Sequence, residues 1–132
     1  MGAWDTGPFD NDTAADFSGH LDDAPETERA ALIRTTLEIA IAADFLDDGE
    51  GARAVAAAAL VGSQCPGGEP VTTAYGPKKP LPAFPADLRP LAAKALDAVL
   101  GENSELRELW EDDEVWTAGI VGLREVLVAA SA

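Results

Sequence analysis

One cysteine and one histidine stand among 132 residues, and nine lysines and arginines face 24 aspartates and glutamates. The single thiol, Cys65, excludes an intramolecular disulfide and suits a reducing compartment. It lies in Gln64-Cys65-Pro66-Gly67-Gly68, with no basic neighbour in the chain to lower its pKa, and reads as a bystander. With one imidazole, His20, the chain has no His-x-x-x-His zinc motif, and with one thiol it has no thiolate zinc site. It also lacks a Walker loop, a Gly-x-Gly-x-x-Gly turn and a Gly-x-Ser-x-Gly elbow. No cofactor is expected, and catalysis is the less favoured reading.

Long apolar runs are missing as well. The longest candidate, Ala30 to Leu46, is interrupted by Arg34, Glu38 and Asp44, and falls short of the roughly 20 residues a membrane span requires. The first residues carry neither the basic region nor the apolar run of a signal peptide. A cytoplasmic protein is expected. The scarcity of bases gives a net charge of -15. Residues 1–50 carry -11, residues 51–100 carry +2 and residues 101–132 carry -6. Such a surface repels phosphates and anionic lipids, so neither nucleic acid nor membrane is an expected partner, whereas a basic protein is.

What the chain has in abundance is alanine, 26 residues of it, and alanine is the best helix former. The hydrophobic fraction of 47% and the length fit one domain, residues 1–132, with a core of its own. The apolar spacing predicts an all-α fold, a compact bundle of about five or six helices. An ordered N-terminal arm, 1–9, would pack Trp4 and Phe9 onto it. A first helix should start at the cap-type residues Asp10, Asn11 and Asp12 and end near Pro25. A second, about Glu26 to Asp47, is apolar almost all round, the pattern of a central helix, and Asp47-Asp48-Gly49 reads as a turn. A third runs from about Glu50 to Gln64 through Ala56–Ala59 and is stopped by Pro66-Gly67-Gly68. Residues 65–86 hold six of the nine prolines and read as a long crossing loop. A fourth helix, capped by Asp87 and closed by Gly101, follows. A short fifth is capped by Asn103 or Ser104, and a sixth, about Glu114 to Ala130, by Asp112 or Asp113. The last two could also be one bent helix.

The opening string is distinctive: Met1-Gly2-Ala3-Trp4-Asp5-Thr6-Gly7-Pro8-Phe9-Asp10-Asn11-Asp12, then Ala15-Asp16-Phe17. It resembles the signature of an uncharacterised bacterial family, the domain of unknown function 4259, which runs Met-Gly-x-Trp-Gly-x-Gly-x-Phe-x-Asn-Asp-x-Ala-x-Asp-Trp. Asp5 stands at a glycine of that signature and Phe17 at its final tryptophan. The alanine-rich third helix, Ser104-Glu105-Leu106 leading to Leu109-Trp110, and Trp116 look similar too. The resemblance implies a bacterial, soluble, helical protein and brings no activity or catalytic residue with it.

Two constellations merit attention. Asp10, Asp12, Asp16 and His20 combine carboxylates with an imidazole, the groups that bind a metal or move a proton. The spacing is not a calcium loop, for the sixth and twelfth positions from Asp10 hold Ala15 and Leu21. The simpler reading is a capped helix start with a surface Asp16–His20 pair. Tyr75, Lys78, Lys79 and Phe84 form a candidate partner-binding strip in the proline-rich loop. Its simpler reading is a strap whose Leu81 and Phe84 cover helix ends. Asp44, among apolar neighbours, would need Arg53, Arg34 or Lys94 as a partner if buried. Taken together, the residues favour a non-catalytic acidic binding or interaction protein, of immunity type or a regulatory partner. The alternatives are a metal-dependent hydrolase with a carboxylate site on the first helix and an acidic mimic of DNA.

Overall fold

In the computed structural model, which describes residues 12–68, 76–77, 81–110 and 113–131, Asp47 opens the helix about which the others pack. Its carboxylate accepts the Glu50 N–H at 2.7 Å, and Glu105 Oε1 accepts the Asp48 N–H at 2.8 Å, so two of the free amides of the first turn are satisfied by side chains. Among the described residues six helices follow one another: α1 Asp12–Asp23, α2 Glu26–Ala42, α3 Asp48–Ser63, α4 Leu88–Val99, α5 Glu105–Trp110 and α6 Glu114–Ser131. The described part is an all-α bundle, as the periodicity predicts. The N-terminal arm, 1–9, lies outside the described residues, as do parts of the proline-rich loop.

The central helix is α3, not the second helix expected from its all-round apolar pattern. From Gly51 to Gly62 every residue except Arg53 is buried, and α1, α2, α4, α5 and α6 all pack on it. Side chains of one carbon explain this. Ala54 and Ala56–Ala58 let neighbouring helices come near from several sides at once, at a packing density that bulky side chains would not permit all round. Two glycines of α3 also leave room for neighbours: a Cβ at Gly62 would lie 2.6 Å from Leu123 Cδ1 of α6, and one at Gly51 3.2 Å from Leu106 Cβ of α5. In contrast, α2 buries one side, Arg29, Ile33, Leu37 and Ala40, and leaves Leu32, Ile39 and Ile41 exposed.

The second helix is also shorter than expected, ending at Ala42 rather than Asp47. Ala43 is extended, and Leu46 then pairs with a distant segment. Its N–H donates to Asn103 O at 2.8 Å, and its carbonyl accepts the Glu105 N–H at 2.8 Å, forming an isolated parallel bridge to Ser104. This bridge buries the Leu46 side chain and frees Asp47 to cap α3. Continuing α2 would forfeit both.

The remaining ends follow the expected chemistry with one exception. Ser104 Oγ accepts the Arg107 N–H at 3.2 Å, and Asp113 Oδ1 accepts the Trp116 N–H at 2.9 Å, so α5 and α6 each have their own cap. Stacking of Trp110 on Trp116, with ring centroids 6.3 Å apart and planes 7° from parallel, ties the two together. The exception is Asp87, whose side chain does not cap α4. It accepts instead from Arg34 of α2 at 2.9 Å. The turn after α3 closes with Cys65 N–H to Gly62 O, at 3.0 Å, and Gly68 N–H to Cys65 O, also 3.0 Å. Gly67 takes φ +81°, and a Cβ on Gly68 would sit 1.8 Å from Gly62 O, so this turn requires both glycines.

Candidate functional site

Helix α1 turns Ala14, Phe17, Ser18 and Leu21 towards the bundle. That choice alone sends Asp12, Asp16 and His20, spaced four apart, to the opposite side, where all three are exposed. They form a row of two carboxylates and an imidazole along one solvent face, with His20 in the last turn. Among the described residues no group of three or more His, Cys, Asp or Glu side chains is placed to hold a metal ion. Asp10, the fourth member of the set, lies outside the described residues.

Of the strip in the proline-rich loop, Tyr75, Lys78 and Lys79 lie outside the described residues, and Phe84 is half-buried. Phe84 and Leu81 pack against the core, as a strap would. Gln64, just past the end of α3, secures them. Its amide Nε2 donates to Pro82 O at 2.9 Å, and its Oε1 accepts the Phe84 N–H at 2.9 Å, so one side chain satisfies the strap's backbone as a neighbouring strand would. Nothing in the sequence marks Gln64 for this role except its place beside a helix stop.

The other singled-out residues stand apart from one another. Cys65 is buried, its thiol donating to Val61 O at 3.4 Å, whereas His20 is exposed on α1. Asp44 is exposed in the segment after α2 and thus needs no buried partner, and Arg34, one of the cations considered for it, is engaged with Asp87.

Apart from Arg34, considered above for Asp44, sequence reasoning did not single out the basic residues that link one helix to another. Arg29 is buried, and its Nε donates to Leu21 O at 2.9 Å and Ala24 O at 3.1 Å, capping the end of α1 from the first turn of α2. Arg89 of α4 donates to Ala130 O at 3.2 Å in the last turn of α6. Arg124 of α6 binds the Asp97 carboxylate of α4, and Arg34 binds Asp87. Each pair holds its arginine above the ordinary guanidinium range, chiefly through the hydrogen bond, and the Arg34 contact holds Asp87 below the usual carboxylate range. Four of the nine bases are therefore turned to internal use. The signal available for Arg29 was a cation in the first turn of a helix, where the dipole disfavours it unless another helix end lies alongside.

Among the described residues no helix is long and apolar enough to cross a membrane. No curated protein and no solved structure matches the chain. The sequence model of one family does, over residues 2–118, from the distinctive opening string into the first turns of α6, and the chain belongs to that family, the domain of unknown function (DUF4259).

Proposed function

We propose that this protein is a non-catalytic, acidic interaction protein whose partner is a basic protein, in the manner of an immunity or regulatory partner. The observation that carries the reading is where the bases go. The chain has nine against 24 acids, and four of them are engaged with helix carbonyls or in the Arg34–Asp87 and Arg124–Asp97 pairs. Acids dominate what is left for solvent: Asp12, Asp16, Glu26, Glu28, Glu38, Asp44 and Asp48 are all exposed. A field of one sign speeds encounter with a partner of the other and weakens as salt is added.

The test is to immobilise the purified protein, pass lysate of the source cells over it at low and at moderate salt, and identify what stays by mass spectrometry. The expected result is one stoichiometric basic protein, retained at low salt and released as salt rises. Retention of nothing, or of proteins whose binding ignores salt, overturns the reading.

A further inference from the structure

Among the described residues, helix α2 carries more apolar surface than the bundle covers. Its inner side supplies Ile33, Leu37 and Ala40 to the core. On its solvent side Leu32, Thr35, Ile39 and Ala42 recur at intervals of three and four, and all are exposed, Leu32 by 37% and Ile39 by 47%. That spacing is the seam of a helix that packs against another helix lying alongside it. Phe45, 53% exposed, follows the end of the seam.

The charges along this seam have one sign. Glu28 stands at its N-terminal end, Glu38 on its flank, and Asp44 beside Phe45, and all three are exposed. The two bases of the helix are directed elsewhere: Arg29 is buried under the end of α1 and Arg34 is paired with Asp87. Thr36, on the other edge, turns its hydroxyl back to Leu32 O at 2.8 Å. The seam thus offers leucine, isoleucine and phenylalanine bordered by carboxylates, and the one cation of α2 that acts on any of them, Arg34 on Glu38, is already paired with Asp87.

From this we infer that the outer side of α2, with Phe45, is the docking surface for a cationic amphipathic helix of the partner. The inference rests on the reading of the protein as an acidic interaction partner and names its surface. The apolar stripe of the incoming helix covers Leu32 and Ile39, and its flanking lysines or arginines meet Glu28, Glu38 and Asp44. A second copy of this chain is a poorer occupant, since it brings the same acids to the same place. The outer side of α6 provides the contrast. Val115, Val121 and Val128 are exposed there too, but α6 has only Glu114 and Glu125 as acids.

The probe is a labelled synthetic peptide of about 18 residues, enough to match the length of α2, with leucines at heptad spacing and lysines elsewhere. Its affinity is read by fluorescence anisotropy. The variants are Leu32→Ser/Ile39→Ser, Glu28→Gln/Glu38→Gln, and Val121→Ser/Val128→Ser. Circular dichroism and Tm check that each keeps its fold. The expected result is binding to the native protein, weakened about tenfold or more by the α2 serine pair and weakened, with a shallower salt dependence, by the glutamine pair. The α6 pair leaves binding unchanged. Equal affinity for native protein and the α2 serine pair overturns the surface but keeps the acidic-partner reading. A peptide that fails to bind even at low salt overturns both. A dimer of the native chain in sedimentation, dissolved by the α2 serine pair, overturns the surface in favour of a second copy.

Discussion

Helices α2 and α3 are nearly equal in length, 17 and 16 residues, and pack on one another, yet they place their apolar side chains in opposite ways. Leucines and isoleucines stand on almost every side of α2, but only one side of it is buried. Helix α3 is mostly alanine, glycine and valine along its middle, and is buried all round. The difference teaches that all-round hydrophobicity does not make a helix central. A small side chain permits neighbours at short range on every side, so the helix with less apolar bulk becomes the axis. Large side chains hold neighbours off, and the surplus on α2 faces solvent.

The comparison can be broken most severely on the inner side of α2. Leu37 is fully buried, whereas Leu32, five residues earlier on the same helix, is not. Leu37→Ala is expected to cost about 2–5 kcal/mol in denaturant unfolding, and Leu32→Ala less than about 1 kcal/mol. Equal costs would mean that α2 is buried on both sides. The next effect belongs to α3. Ala57 is fully buried, so Ala57→Leu forces three more carbons into filled space, with an expected loss of about 1–3 kcal/mol or more. The same change at Ala31, exposed on α2, is expected to stay within about 0.5 kcal/mol. If Ala57→Leu were as silent as Ala31→Leu, α3 would not be the tightly enclosed helix.

The smallest expected effect concerns the surface pair that ties α2 to the start of α4. The hydrogen bond from Arg34, opposed by desolvation and aided by the charge of Arg34, holds the Asp87 carboxyl below its ordinary 3.8. A carboxyl depressed in the folded state contributes stability above its unfolded pKa and loses it as pH falls through its folded pKa. The native protein should therefore exceed Arg34→Gln slightly in Tm above pH 3.8, with the gap closing as the pH drops below that value. A gap that persists to the lowest pH at which both variants remain folded would assign the stabilisation to something other than this pair. Both groups are solvent-exposed, so the gap should also narrow with salt.

Much of the local structure was legible in the sequence. Asp113 and Ser104 cap where cap-type residues precede apolar runs, and Pro66-Gly67-Gly68 ends α3 where glycine and proline say it must. Leu81 and Phe84 were readable as a strap because two large apolar residues stand among prolines. The misreadings share one cause. The end of α2 is set by Leu46 pairing with Ser104, and the side chain of Asp87 is taken by Arg34, both of them contacts between residues far apart in the chain. The buried Arg29 belongs with them, since its role depends on the end of α1 lying beside it. Of the candidate sites, the exposed row Asp12, Asp16 and His20 was readable from helical spacing alone. The seam of Leu32 and Ile39 was not, because periodicity marked α2 as apolar all round and could not say which side the bundle would use.

The sequence by itself determined the helical class, most of the places where helices start and stop, and the sign of the surface charge. Those depend on side-chain chemistry within a few residues, through caps, breakers and the 3.6-residue repeat, or on composition alone. The tertiary structure decided which helix became the axis, where α2 gave way to the Leu46 bridge, and which leucines and isoleucines remained outside. Burial is a property of the neighbours that approach, and those neighbours come from distant parts of the chain.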